Sequence, residues 1–125
     1  MKVAISATGG TLDAAVDPRF GRCAVLVLIE TDDMSFQAID NANSSLGGGA
    51  GIQTAQLVAH EGAKTVLTGN CGPNAHQTLS AAGIEVIVGC SGVVSDVIAR
   101  FKSGELQPAA APNVASHSGM GGGRR

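Results

Sequence analysis

The residues able to do chemistry in this chain are few, and most stand at glycine-rich turns. Cys71 sits in "GNCGPN", flanked by Asn70, Gly72, Pro73 and Asn74, where an apolar run gives way to helical spacing. Arg19 and Arg22 bracket Phe20 and Gly21 in "DPRFGR", close to Asp13 and Asp17. Gly47, Gly48, Gly49 and Gly51 crowd "SSLGGGAG". Two of these turns lead into helices. The first amides of a helix are unpaired and carry partial positive charge, so they stabilise an anion. Glycines let a bulky group come close to the backbone. Pro73 fits the first helical position, where its missing N–H costs nothing. Arg19 and Arg22 add charge-assisted hydrogen bonds. The chemistry this set suits is the holding of a compact anion.

Other residue types have plainer readings. Cys71 is either a small turn residue or a ligand. Cys23 precedes an apolar run and is expected to pack there, and Cys90 ends another strand. The three cysteines are an odd number and widely spaced, with no CxxC. That excludes a disulfide framework or a zinc knuckle and fits reduced thiols. His76 is expected at a solvated helix face, His60 near a helix C-terminus where a positive ring suits the dipole, and His117 in a tail. Asp13 and Asp17 are expected to be solvated loop carboxylates. No GxSxG, HExxH or P-loop is present, since no GK[ST] follows "GGGAG".

The elements that must position these turns follow from periodicity. "KVAIS" (2–6) is an apolar strand. A long loop, "ATGGTLDAAVDPRFGRC", follows it. "AVLVLIE" (24–30) reads as a strand buried on both faces. After the turn "TDDM", "SFQAID" (35–40) alternates as a half-exposed edge strand does. These three strands have no helix between them, so they should be antiparallel, because a parallel connection needs a crossover of about a dozen residues or more. Then the pattern changes. Ile52, Ala55, Val58 and Ala59 have helical spacing, closed by Gly62. "KTVLTG" (64–69) is a strand, and 73–82 a helix with a buried stripe of Ala75, Leu79 and Ala82, closed by Gly83. "IEVIVG" (84–89) is a strand. Val94, Val97, Ile98 and Phe101 form the stripe of a last helix. The order α-β-α-β-α implies parallel pairing in this half. The fold class is α/β: a five-stranded mixed sheet, antiparallel in its first three strands, then parallel βα units, flanked by three helices. That architecture is ribonuclease H-like. A ribonuclease H needs sheet carboxylates for two metal ions, and "KVAIS" has none in its interior, so the nuclease reading fails.

Composition bounds the rest. The chain has 125 residues, one domain's worth; 44% are apolar and only 2% aromatic, so the core must be aliphatic. A formal net charge of −2 argues against nucleic-acid binding through broad positive charge, and aromatic platforms for stacking are missing. No apolar run approaches the roughly 20 residues that span a bilayer, and the first residues enter a strand without a signal peptide's apolar region. A cytoplasmic protein is expected. After residue 103 the periodicity stops and Ala, Pro, Gly and Ser dominate. Residues 1–103 form the domain, and 104–125 are expected to be a flexible tail.

"DPRFGRC", the stretch from "GGGAGIQTAQ" through "TGNCGPNAHQTL" to "GIEVIV", and the helix beyond it resemble the nitrogenase iron–molybdenum cofactor biosynthesis family. This is the NifX-like group that also supplies the C-terminal domain of NifB. The pairing of FGR with a later G-x-G-P-x-A turn carries the specificity, over about residues 1–103. The tail "SGMGGGRR" is similar to the stand-alone molybdenum–copper branch. The resemblance implies a ribonuclease H-like fold and a carrier or scaffold, not an enzyme, for an anionic metal–sulfur cluster. That cluster would be a molybdenum–copper sulfide cluster or, alternatively, an iron–molybdenum cofactor-type cluster. Phe20, Gly21 and Arg22 match its first motif; Gly69, Cys71, Gly72, Pro73 and Ala75 lie in its second. Arg19 stands where many relatives carry His, which weakens any His-ligand scheme. The site implied is Arg19, Phe20, Gly21, Arg22, Gly48, Gly49, Gly51, Asn70, Cys71, Gly72, Pro73 and Asn74. Cys71, or less favourably Met120, would be the soft donor if copper is present. A second reading is a regulatory interaction module whose tail or third strand contacts a cluster-handling or partitioning ATPase or another assembly protein; in either reading a monomer is expected. A nucleotide or small-phosphate binder is a third, without a lysine or acidic partner to support it.

Overall fold

The computed structural model describes residues 1–42 and 49–106. Its elements run β1 (Lys2–Ala7), β2 (Val25–Glu30), β3 (Phe36–Asp40), α1 (Ala50–His60), β4 (Thr65–Leu67), α2 (Pro73–Ala81), β5 (Glu85–Ile87) and α3 (Val94–Lys102). The strands form one sheet in the order β3-β2-β1-β4-β5. β1 pairs antiparallel with β2, and β2 with β3. β1 pairs parallel with β4, and β4 with β5. The mixed sheet of the sequence analysis is therefore the observed one. The turn into β3 is tight enough to put Met34 at φ 62°. The Met34 amide donates to the Glu30 carbonyl at 2.7 Å there, and the Glu30 amide donates to Ser35 at 2.8 Å.

Side chains alternate across the sheet, which gives it two cores. One holds Ala4, Leu26, Leu28, Val66 and Val86 against α1 and α2, through Ala55, Val58, Ala75 and Leu79. The other holds Val3, Ile5, Val27, Ile29, Leu67 and Ile87 against Val94, Val97 and Ile98 of α3. Gly62 and Gly83, at φ 83° and 78°, turn the chain off α1 and α2, as left-handed glycines at helix ends do. One expected core position is corrected. Ala82 is exposed, because α2 ends at Ala81 and the amide of Ile84 folds back on the Leu79 carbonyl at 2.9 Å. Ile84 takes that place in the core, at 5% exposure. Ile52 is only half-buried.

The middle of the sheet places the loops of interest. β1 and β4 are adjacent and parallel, so the loop after β1 and the turn after β4 emerge side by side at their carboxyl ends, where ligands bind in open α/β sheets. The loop after β1 first crosses the α3 side. There Val16 N–H donates to the Gly92 carbonyl at 2.8 Å, and the amides of Val94 and Ser95 donate to Ala14 and Leu12, both at 2.9 Å. The loop then returns to the face that carries α1 and α2. Among the described residues no helix is long and apolar enough to cross a membrane.

Candidate functional site

The returning half of that loop meets the turn after β4 through the backbone. The Asn70 amide donates to Pro18 at 2.7 Å, and the Phe20 amide donates to Asn70 at 3.2 Å, so Arg19 and Asn70 form a parallel bridge. Close approach makes this junction possible. A Cβ on Gly69 would lie 2.6 Å from Pro18 Cα, and one on Gly21 would lie 2.7 Å from Gly51 Cα. A Cβ on Gly51 would in turn meet the Ala75 Cβ at 3.2 Å. Loop, α1 and α2 therefore touch through their smallest residues. Buried polar groups fix the loop from below. Asn41 Nδ2 donates to the carbonyls of Cys23 at 2.9 Å and Gly21 at 3.3 Å, and Thr54 Oγ1 donates to Gly21 at 3.1 Å. Asn41 and Thr54 were not singled out in the sequence; an Asn after an edge strand looks like any loop residue until its carbonyl partners are in place.

Beside this junction lies an open cleft of about 480 Å³. The loop contributes Arg19, Phe20, Gly21 and Arg22. The start of α1 contributes Ala50, Gly51 and Ile52, so the half-burial of Ile52 is that of a cleft wall. The turn and the start of α2 contribute Asn70, Gly72, Pro73, Asn74 and Ala75. Gly49 is the residue before α1, and Gly48 lies outside the described residues. The loop after β5, "GCSG" (89–92), is not part of the cleft wall; the amides of Gly89 and Cys90 are tied to the carbonyls of Gly69 and Thr68.

Two helices begin at this cleft, each capped by a glycine with no side-chain cap bond. Their first internal bonds run from Gln53 N–H to Gly49 at 3.0 Å and from His76 N–H to Gly72 at 2.9 Å. Among the described residues, the amides ahead of these bonds, on Gly51, Ile52, Asn74 and Ala75, show no hydrogen-bond partner. At α3 the amides of its first two residues, Val94 and Ser95, are taken by loop carbonyls, and Asp96 puts a carboxylate in its first turn. Helix-end positive charge is thus neutralised at α3 and left facing the cleft at α1 and α2.

The geometry corrects two of the expectations for individual residues. Asp17 is not solvated; it is 3% exposed, and its Oδ1 accepts from the amide and the Nε of Arg19 at 3.0 and 3.3 Å. The Cys71 side chain is turned away from the cleft wall, 1% exposed in the core beneath α1 and α2, with Sγ 3.8 Å from the Gly72 carbonyl. Burial pushes its thiol up to about 11. Cys23 is pushed up to about 12 by burial and by the Asp17 charge, and burial also raises Cys90. Among the described residues, no three of His, Cys, Asp and Glu come together as a metal site. His60 is exposed, and His76 lies 3.5 Å from Ser80 Oγ. Met120 and His117 lie outside the described residues.

A pH test follows from the thiols. Their folded values lie above the ordinary 9.0, so the folded state holds protons that the unfolded state has released. That contribution is complete below pH 9.0 and is lost as pH climbs toward the folded values. Thermal melts should give a steady Tm up to about pH 9 and a falling one above it. A Tm equally steady to about pH 11 would mean the thiols are not held in the core.

Comparison with known proteins bears on the fold and the family. The apo form of the orange protein from Desulfovibrio gigas is 43% identical, covers 90% of this chain and 96% of its own, and superposes with a TM-score of 0.88. The NMR structure of a Thermotoga protein is 29% identical, over 86% of this chain and 91% of that one, with a TM-score of 0.75. An uncharacterized protein of Methanocaldococcus jannaschii is 26% identical over 110 residues, which are 86% of this chain and 90% of that protein. The sequence pattern of the dinitrogenase iron-molybdenum cofactor family matches residues 1–104. With its fold, its paired FGR and GNCGPNA turns and that match, the chain belongs to the dinitrogenase iron-molybdenum cofactor family.

Proposed function

We propose that this protein is a non-enzymatic carrier or scaffold for an anionic metal–sulfur cluster, held largely without covalent ligands in the cleft at the starts of α1 and α2. The observation that carries the reading is the convergence of two uncapped helix N-termini with Arg19 and Arg22 on one cleft. A sulfide cluster is compact and multiply charged. Backbone N–H groups, helix dipoles and guanidinium groups stabilise such an anion. Phe20, Ile52 and Pro73 exclude water from part of the wall, which strengthens those interactions. The favoured cargo is a molybdenum–copper sulfide cluster, in line with the similarity to the orange protein. An iron–molybdenum cofactor-type cluster is the alternative, in line with the family. A cytoplasmic monomer fits this role. A tetrahedral thiolate site is not part of the proposal, because the Cys71 thiol lies in the core.

Mixing the apo-protein with tetrathiomolybdate and a copper salt should give a visible chromophore that elutes with the protein. Colour that elutes with the small molecules would overturn the reading for that cluster. Cys71→Ser should retain the chromophore while lowering stability by about 1 kcal/mol, since a hydroxyl replaces a thiol in an apolar setting. Loss of copper with retained folding would instead make Cys71 a ligand.

A further inference from the structure

We propose that Asp17 is a positioning residue for anion binding, a buried carboxylate that aims the Arg19 guanidinium at the cleft. This rests on the cluster-carrier reading of the same cleft. The side chain of Asp17 is 5% exposed, and that of Arg19 is 64% exposed. One oxygen, Oδ1, accepts from both the amide and the Nε of Arg19, at 3.0 and 3.3 Å. Arg19 therefore reaches solvent and the cleft with its base docked on a fixed point.

The fixed point is anchored to the centre of the sheet. The Asp17 amide donates to the Ser6 carbonyl at 2.9 Å, and Ser6 Oγ donates back to the Asp17 carbonyl at 2.7 Å. Ser6 Oγ and Thr68 Oγ1 share a hydrogen bond of 2.7 Å. Ser6 and Thr68 are fully buried, Ser6 at the end of β1 and Thr68 just past β4. A polar chain thus runs from the two central parallel strands through Asp17 to Arg19.

The sign of the charge makes the role testable. A carboxylate beside an anion site opposes the anion by Coulomb's law. If Asp17 acted only as a charge, removing it would tighten binding. If it positions Arg19, removing it must weaken binding, because a mobile arginine has to be ordered by each anion that arrives. Outer partners that orient metal-binding side chains commonly change affinity by about 10- to 100-fold, and a positioning partner of an anion-binding arginine is expected to act on the same scale.

The probe is tetrathiomolybdate alone, followed by equilibrium dialysis and visible absorbance on the full chain. Asp17→Asn keeps an acceptor for the Arg19 amide and removes the charge that holds the guanidinium. It should weaken binding by about tenfold in the wild-type background and leave it unchanged or slightly tighter in an Arg19→Ala background. Arg19→Lys keeps the charge but has no Nε–H for Asp17, so it should weaken binding as Asp17→Asn does; it also serves if Asp17→Asn does not fold. Binding by Asp17→Asn as tight as wild type, or an equal loss in the Arg19→Ala background, would overturn the positioning role while the cluster reading stands. Failure of the wild-type protein to bind tetrathiomolybdate would overturn the positioning role, while the cluster reading is decided separately by the mixture with a copper salt.

Discussion

Gly72→Asp is expected to cut affinity for an anionic cluster by about 100-fold while making the apo-protein slightly more stable. Gly72 caps α2 at φ −71° and ψ 170°, extended backbone that any residue adopts. A Cβ there would meet nothing within 4 Å. The substitution therefore fits without strain. Aspartate is a favoured N-cap, and its carboxylate would accept from the open amides of Asn74 and Ala75. Negative charge at a helix N-terminus is itself favourable. The apo-protein should gain about 0.5 kcal/mol, or roughly 3 °C in Tm. The same carboxylate would occupy two of the donors meant for the cargo and set a like charge beside it. Gly72→Asn is the graded control, since it caps without the charge and should lose less. Dialysis with tetrathiomolybdate and a thermal melt on the same samples read both effects. Unchanged binding by Gly72→Asp would remove the start of α2 from the site.

Gly69→Ala is expected to be among the most destabilising single-methyl changes in the molecule. Its Cβ would lie 2.6 Å from Pro18 Cα and 3.0 Å from the Pro18 carbonyl oxygen. These are backbone atoms pinned by the Asn70-to-Pro18 hydrogen bond of 2.7 Å, so they cannot yield as a flexible side chain does. Overpacking of this kind costs about 3 kcal/mol, which for a domain of this size lowers Tm by about 15 °C. Because the clash separates the arginine loop from the turn after β4, cleft binding should fall with it. Gly72→Ala adds the same methyl three residues further along the turn and meets nothing, so its Tm should stay within about 2 °C of wild type. Equal melting of the two variants would show that the junction is not close-packed.

How far these features could be read in advance depended on what each residue type reveals. β1 and β2 announce themselves as aliphatic runs, and the short connections from β2 to β3 force antiparallel pairing. Val94, Val97, Ile98 and Phe101 mark α3 by spacing alone. The glycines around Gly51 and Gly72 and the arginines of "DPRFGR" likewise suggested an anion cleft, and the fold brings them onto one wall. What stayed hidden depended on direction within loops, where no period operates. Asp17 looks like any loop carboxylate until Ser6 and Thr68 are seen beneath it. Cys71 stands in a turn next to the cleft, yet its thiol faces the core. Gly69 reads as part of a turn, and only Pro18, 51 residues earlier, gives it a steric purpose. Ala82 satisfied the helical stripe, but the chain had already turned at Gly83 to let Ile84 fill that space.

The most direct test of the central claim is an amide map of cargo binding. Uniformly ¹⁵N-labelled apo-protein is titrated with tetrathiomolybdate and a copper salt, and backbone N–H shifts are followed. The largest shifts are expected at Gly51 and Ile52, at Asn74 and Ala75, and at Arg19, with little change along the exposed edge strand Phe36–Asp40. Shifts gathered on that edge strand, or a bound chromophore that leaves the amides of α1 and α2 unmoved, would contradict that claim.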